Sequence, residues 1–77
     1  MFEAIVYTVP NCEFCDRTKA FLARRHVPFL EKNIAVDRAA LRELEQMDVQ
    51  AVPVTVYGAE VIVGFNQARL MALFGKD

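Results

Sequence analysis

The sequence predicts one α/β domain: a mixed four-stranded sheet flanked by helices, in the order β-α-β-α-β-β-α. Three observations predict it. Apolar runs rich in β-formers alternate with helical periods through the first two-thirds of the chain, the pattern of strands joined through crossover helices. Gly58-Ala59 then joins two short β-rich runs directly, as a hairpin turn does. The chain has 77 residues and is 55% hydrophobic, enough for one core and too short for a second, so 1–77 is taken as one domain.

Phe2 to Thr8 is apolar and β-rich and reads as a buried strand, broken by Pro10 and Asn11. From Glu13 to His26, Phe14, Thr18, Phe21 and Leu22 recur at helical spacing. Pro28 follows, and Phe29 to Ile34 reads as the second strand. Asp37 is an expected N-cap for a short helix with Ala40, Leu41, Leu44 and Met47 on one side. Val52 to Tyr57 is the third strand, opening on a proline. Glycine-first Gly58-Ala59 favours a type II′ turn into Glu60 to Val63. Asn66 is a good N-cap for the last helix, which carries Leu70, Leu73 and Phe74 and stops at Gly75, where glycine accepts a left-handed conformation. A helix between the first two strands predicts that they run parallel; the hairpin makes the last two antiparallel.

Net charge is −1 with both signs mixed, which argues against a nucleic-acid footprint and fits protein partners. The longest apolar run is too short to span a membrane. The N-terminus lacks a basic stretch followed by an apolar one, so no secretory signal is expected. These features predict a cytoplasmic protein, where disulfides are usually catalytic or sensing.

Cys12-Glu13-Phe14-Cys15 falls at the junction of the first strand and first helix. The thiolate is the reactive form of cysteine, and a helix N-terminus favours negative charge. Cys12, at the helix start, is the expected nucleophile; Cys15, one turn further in and less exposed to solvent, is placed to resolve a mixed disulfide. Three plainer readings compete. A structural disulfide across so short a loop stabilises by only about 2 kcal/mol on loop-closure grounds. A zinc site needs four ligands, and His26 is the one other soft ligand, which leaves a dimer pooling its thiolates. Two buried bystander cysteines are the third. The motif in this strand–helix context favours redox chemistry.

Tyr7 to Cys15, the downstream Lys19, Ala51-Val52-Pro53 and Gly64-Phe65 together resemble the glutaredoxin-like family, over nearly the whole chain. The short length and Gly64-Phe65 also resemble the redoxins that donate hydrogen to ribonucleotide reductase, the NrdH group. The resemblance implies a thioredoxin-like fold and a cis Val52–Pro53 bond facing Cys12. It implies that the Val52 backbone pairs with an extended substrate, with Gly64 and Phe65 at the same edge. Phe14 is expected to be a partly exposed apolar platform. Phe65 is as consistent with core as with a partner contact.

Two departures bear on the reductant. Glutathione-using members carry a lysine shortly before the first cysteine, where this chain has Thr8-Val9-Pro10. They carry Gly-Gly and an acid near the last helix, where this chain has Val63-Gly64-Phe65-Asn66. Arg17 and Lys19 remain as cations able to attract an anion. Glu13 and Asp16 oppose a thiolate at the helix start, which predicts moderate activation of Cys12 and a reducing dithiol.

The expectation is therefore a monomeric dithiol reductase of protein disulfides with no bound cofactor. It takes NADPH electrons through thioredoxin reductase, with ribonucleotide reductase as the acceptor the resemblance suggests. The alternatives are a glutathione-dependent glutaredoxin and a non-enzymatic module that holds metal or an iron–sulfur cluster, or senses redox state. Tyr7 and Tyr57 are expected as strand core, Met47 and Met71 as filler, Arg24 and Arg25 as a solvated helix face, and His26 beside the helix C-terminus.

Overall fold

A computed structural model describes residues 2–75. The elements are β1 (Ala4–Thr8), α1 (Glu13–Arg24), β2 (Phe29–Asn33), α2 (Arg38–Gln46), β3 (Val54–Tyr57), β4 (Glu60–Val63) and α3 (Gln67–Phe74). This is the expected order. The sheet runs β2-β1-β3-β4, with β1 and β2 parallel and the other pairs antiparallel. The most apolar strand, β1, therefore lies inside the sheet, where both faces need cover.

Alternation along β1 divides the core in two. Ala4 and Val6 face Phe21 and Leu22 of α1 and Leu70 and Phe74 of α3. Tyr7 faces Ala40 and Leu44 of α2, with Val54 from β3. One sheet face thus carries α1 and α3, and the other carries α2. Each fully buried aliphatic side chain contributes about 1.5–3 kcal/mol of hydrophobic stabilisation.

The caps follow the sequence. Asp37 Oδ1 accepts from Ala40 N at 3.1 Å, and Asn66 Oδ1 accepts from Arg69 N at 3.1 Å. Each satisfies an amide that the helix leaves unpaired. Asp37→Ala should cost about 1 kcal/mol, readable as a lower denaturation midpoint; an unchanged midpoint would mean that α2 is held by packing alone. Gly58 has φ +59° while Ala59 is not left-handed, the glycine-first pattern expected of the hairpin.

Several expectations need correction. β1 begins at Ala4, because Phe2 is exposed rather than packed. The buried face of α1 is Cys15, Thr18, Phe21 and Leu22, so Cys15 replaces Phe14 on the core stripe. On α2, Leu41 is exposed, and Ala40 and Leu44 carry the contact. β3 begins at Val54: Pro53 has no N–H for the ladder, although its carbonyl still accepts from Gly64 N at 2.7 Å.

Gly75 is right-handed, with φ −77°; glycine there leaves room for the Met71 carbonyl. Left-handed residues instead follow the first two helices: His26, φ +58°, just past α1, and Asp48, φ +60°, past α2, where their N–H groups donate to the Ala23 and Glu45 carbonyls. Arg25 is not simply solvated: its guanidinium lies 3.9 Å from the Phe21 ring centroid, and Nη2 is 3.0 Å from Met71 Sδ. Met71 is thus a partly exposed partner of Arg25 rather than core filler, and Tyr57 packs edge-on against Phe74 while remaining partly exposed.

Candidate active site

β1 ends at Thr8, and the chain turns at Asn11, whose φ of +57° is one that asparagine tolerates better than most residues. The turn delivers Cys12 as the N-cap of α1. Its Sγ accepts a hydrogen bond from Cys15 N at 3.2 Å, and its carbonyl accepts from Asp16 N at 3.1 Å. A sulfur thus occupies the place usually taken by a serine or aspartate oxygen, at the positive end of the helix.

The two thiols differ. Cys12 is half-buried, while Cys15 is 1% exposed. Burial pushes the Cys15 thiol up to about 11, assisted by its hydrogen bond and proximity to Cys12. The Val9 backbone and the charge of Lys19 act in the opposite direction. Near neutral pH, Cys15 therefore stays protonated. The geometry places one accessible sulfur on the helix start and one protected thiol beside it, an arrangement suited to sequential thiol–disulfide exchange.

The charges around the pair are largely satisfied. Arg17 pairs with Glu13 four residues before it, and its guanidinium lies 5.6 Å from the Phe14 ring centroid. Lys19 Nζ is 3.0 Å from Glu31 Oε2 and 3.6 Å from Asp16 Oδ1. The two cations expected to attract an anion are thus already engaged by acids.

Phe14 is 54% exposed, in line with the partial exposure expected of it. The Val52–Pro53 bond is cis, with Val52 half-buried and Pro53 buried. Gly64, at φ +78°, is tied to Pro53 by its amide. Phe65 packs against the core shared by α1 and α3. The structure thus joins Cys12 to Cys15 and Pro53 to Gly64, while Phe65 packs inward and Phe14 remains on the outside of α1.

Sequence reasoning passed over two polar clusters. The buried Thr8 hydroxyl donates to Glu31 Oε2 at 2.8 Å, joining the Lys19 pair. On the opposite face, Tyr7 Oη donates to Glu43 Oε1 at 2.8 Å, and Lys32 Nζ donates to the same oxygen at 2.7 Å. Burial and the Glu43 carboxylate push the Tyr7 phenol up to about 12. Polar residues within apolar strand runs were the available signal: Thr8 closes β1, and Glu31 lies opposite Val6 on the parallel neighbour.

A mainly apolar groove is lined by Val9, Ile34, Leu41, Leu44, Val49 and Val52, with Glu45 and Gln50 among them. Among the described residues, no cluster of three or more His, Cys, Asp or Glu side chains could hold a metal ion, and no helix is long and apolar enough to cross a membrane.

The glutaredoxin family model matches residues 4–62. A glutaredoxin-like 8.6 kDa protein from the rubredoxin operon of Clostridium pasteurianum is 33% identical over 72 residues, covering 92% of this chain and 96% of that protein. A variant of the thioredoxin-like protein BC3987 superposes with TM-score 0.88 at 32% identity, over 100% of both chains. The glutaredoxin-like NrdH-redoxin from Escherichia coli superposes with TM-score 0.84 over 91% of this chain and 92% of its own; at 24% identity that likeness concerns the fold.

Proposed function

The chain belongs to the glutaredoxin family, whose members are generally thiol–disulfide oxidoreductases, and we propose that it is a dithiol reductase of protein disulfides acting through Cys12 and Cys15. The observation that carries this reading is the asymmetry of the pair: an N-cap sulfur beside a buried thiol held at about 11. Cys12 attacks a target disulfide; one target sulfur departs as a thiolate and the other bonds to Cys12. Cys15 then loses its proton and attacks Cys12. The Cys12–Cys15 bond forms, the bond to the target breaks, and two electrons have passed to the target.

Val52 and Pro53 are proposed to hold the target backbone as an added strand. Phe14 and Gly64 border that edge, and Phe65 supports it from the core. The groove that includes Val52 supports a peptide substrate, since it offers apolar side-chain contacts next to the proposed backbone-pairing residue.

Thioredoxin reductase, fed by NADPH, is the proposed reductant, with no bound cofactor and the cytoplasm as the working compartment. Ribonucleotide reductase is the proposed acceptor, from the NrdH-like features. Pairing of Arg17 and Lys19 with acids supports this choice over glutathione, whose carboxylates need free cations. Steady-state NADPH oxidation should be fast with thioredoxin reductase and at least about tenfold slower with glutathione and glutathione reductase, a difference of about 1.4 kcal/mol in transition-state stabilisation. Efficient turnover with glutathione alone would reverse the choice.

A further inference from the structure

The guanidinium of Arg25 is held in place but poorly matched. Arg25 caps α1, its N–H donating to the Phe21 and Leu22 carbonyls at 3.3 and 3.2 Å. The guanidinium lies over the buried Phe21 ring, 3.9 Å from its centroid, which takes one face of the plane and leaves the edges for acceptors. One edge meets α3, where Nη2 is 3.0 Å from Met71 Sδ. A thioether sulfur is a weak acceptor for so strong a donor. Nε is buried and has no hydrogen-bond partner among the described residues. A buried donor left unpaired is rare and costly. In the planar fork, the Nε hydrogen and one Nη2 hydrogen point from the same edge. The unpaired donor thus belongs to an edge that Met71 borders.

Met71 is 44% exposed, so a small oxidant reaches its sulfur. Its carbonyl accepts from Gly75 N at 2.8 Å, which fixes the backbone that presents the thioether. Met47, by contrast, is half-buried against the cluster of α2 and the sheet. Oxidation of a methionine usually disrupts packing, because it puts a polar oxygen on an apolar side chain. At Met71 that oxygen meets a cationic donor edge already in position.

We propose that Met71 is a sulfoxidation site and that the Nε–Nη2 edge of Arg25 is the receptor for the sulfoxide oxygen. The oxidant is hydrogen peroxide. The Sδ lone pair attacks one peroxide oxygen; the S–O bond forms and the O–O bond breaks. The proton on the attacked oxygen passes to the departing hydroxide, which leaves as water. Sulfur loses two electrons and peroxide gains them. The new oxygen accepts from both donors of the edge, so oxidation ties α3 to the end of α1 instead of loosening it. Arg25 lies about 20 Å from Cys12 along the helix axis, at 1.5 Å per residue. The modification is therefore separate from the exchange site and does not depend on the exchange reaction.

The test uses the full chain with Cys12 and Cys15 joined as a disulfide, so that neither thiol consumes peroxide. Trypsin places Met71 in the peptide 70–76 and Met47 in 43–69, so mass spectrometry reads the two sulfoxides separately. Met71 should oxidise ahead of Met47. At a fixed denaturant concentration, oxidation should raise the folded-to-unfolded ratio about tenfold, the scale of one charge-assisted hydrogen bond. The Nε–H resonance of Arg25 should shift at the same time. In Arg25→Leu, which keeps apolar cover over Phe21 and removes the donors, oxidation should lower the ratio. Arg25→Lys keeps the charge without the fork and should show a smaller rise than wild type. Met71→Leu should abolish the rise. Oxidation of Met71 no faster than of Met47 would overturn the site. A fall in the wild-type ratio, an equal change in wild type and Arg25→Lys, or a rise that persists in Met71→Leu would overturn the receptor. An unmoved Nε–H resonance would do so even if Arg25→Leu failed to fold.

Discussion

Cys12→Ser should abolish protein-disulfide reduction, leaving only the uncatalysed rate. A serine hydroxyl at a helix N-cap is a good capping group, so the fold should survive. It is a poor nucleophile towards sulfur, and no described cysteine occupies an equivalent accessible position, since Cys15 is buried. Insulin reduction followed by turbidity gives the rate, and circular dichroism checks the fold. Retention of even a tenth of wild-type turnover by a folded Cys12→Ser would remove Cys12 from its proposed role.

The partner variant should fail differently. Cys15→Ser keeps the attacking sulfur and loses the resolving one, so the first exchange proceeds and stops. A mixed disulfide between Cys12 and the target should accumulate and survive non-reducing electrophoresis. Identifying the protein attached to Cys12 would also test the proposed acceptor. If Cys15→Ser released its target as quickly as wild type, resolution would have to come from an external thiol, as glutathione provides.

Leu22→Ala should bring the domain close to unfolding. Leu22 is fully buried in the cluster formed by β1, α1 and α3. Leucine-to-alanine changes in such sites cost about 2–5 kcal/mol, the spread reflecting how far the cavity collapses. At roughly 0.05–0.15 kcal/mol per residue, a chain of this length has about 4–12 kcal/mol in total. The denaturation midpoint should fall steeply with little change in slope. A loss below about 1 kcal/mol would mean that α1 readily repacks, which its close contacts with the sheet argue against.

Much of the fold was legible because local chemistry and tertiary packing agree. Asp37 and Asn66 cap the helices assigned to them, since short polar side chains at those positions satisfy helix amides wherever the helix lies. The hairpin at Gly58-Ala59 follows from a glycine free to take a positive φ. The placement of Cys12 at the start of α1 was equally local, because the preceding strand and the following helical period bracket it.

Errors arose where a neighbour decided the outcome. Helical spacing put Phe14 at the head of the apolar stripe, although partial exposure was expected of it; the sheet-facing stripe begins instead at Cys15. Arg25 reads as a surface charge until Phe21 and Met71 are placed beside it. Gly75 looks like a left-handed cap, yet the close approach of the Met71 carbonyl gives a different reason for glycine. Arg17 and Lys19 look available for an anion along the sequence, but folding pairs them with acids on α1 and β2.

The sequence by itself determined the element order, the helix starts, the hairpin and the pair Cys12–Cys15 at a strand-to-helix junction. Each depends on residues within a few positions of one another, whose backbone preferences and hydrogen bonds act before distant segments meet. Tertiary structure alone decided how completely Cys15 is enclosed, which raises its thiol, and that Lys19 is tethered through Glu31 to Thr8. Desolvation and charge depend on what surrounds a group in space, and Thr8, Lys19 and Glu31 come together only when β1, α1 and β2 pack.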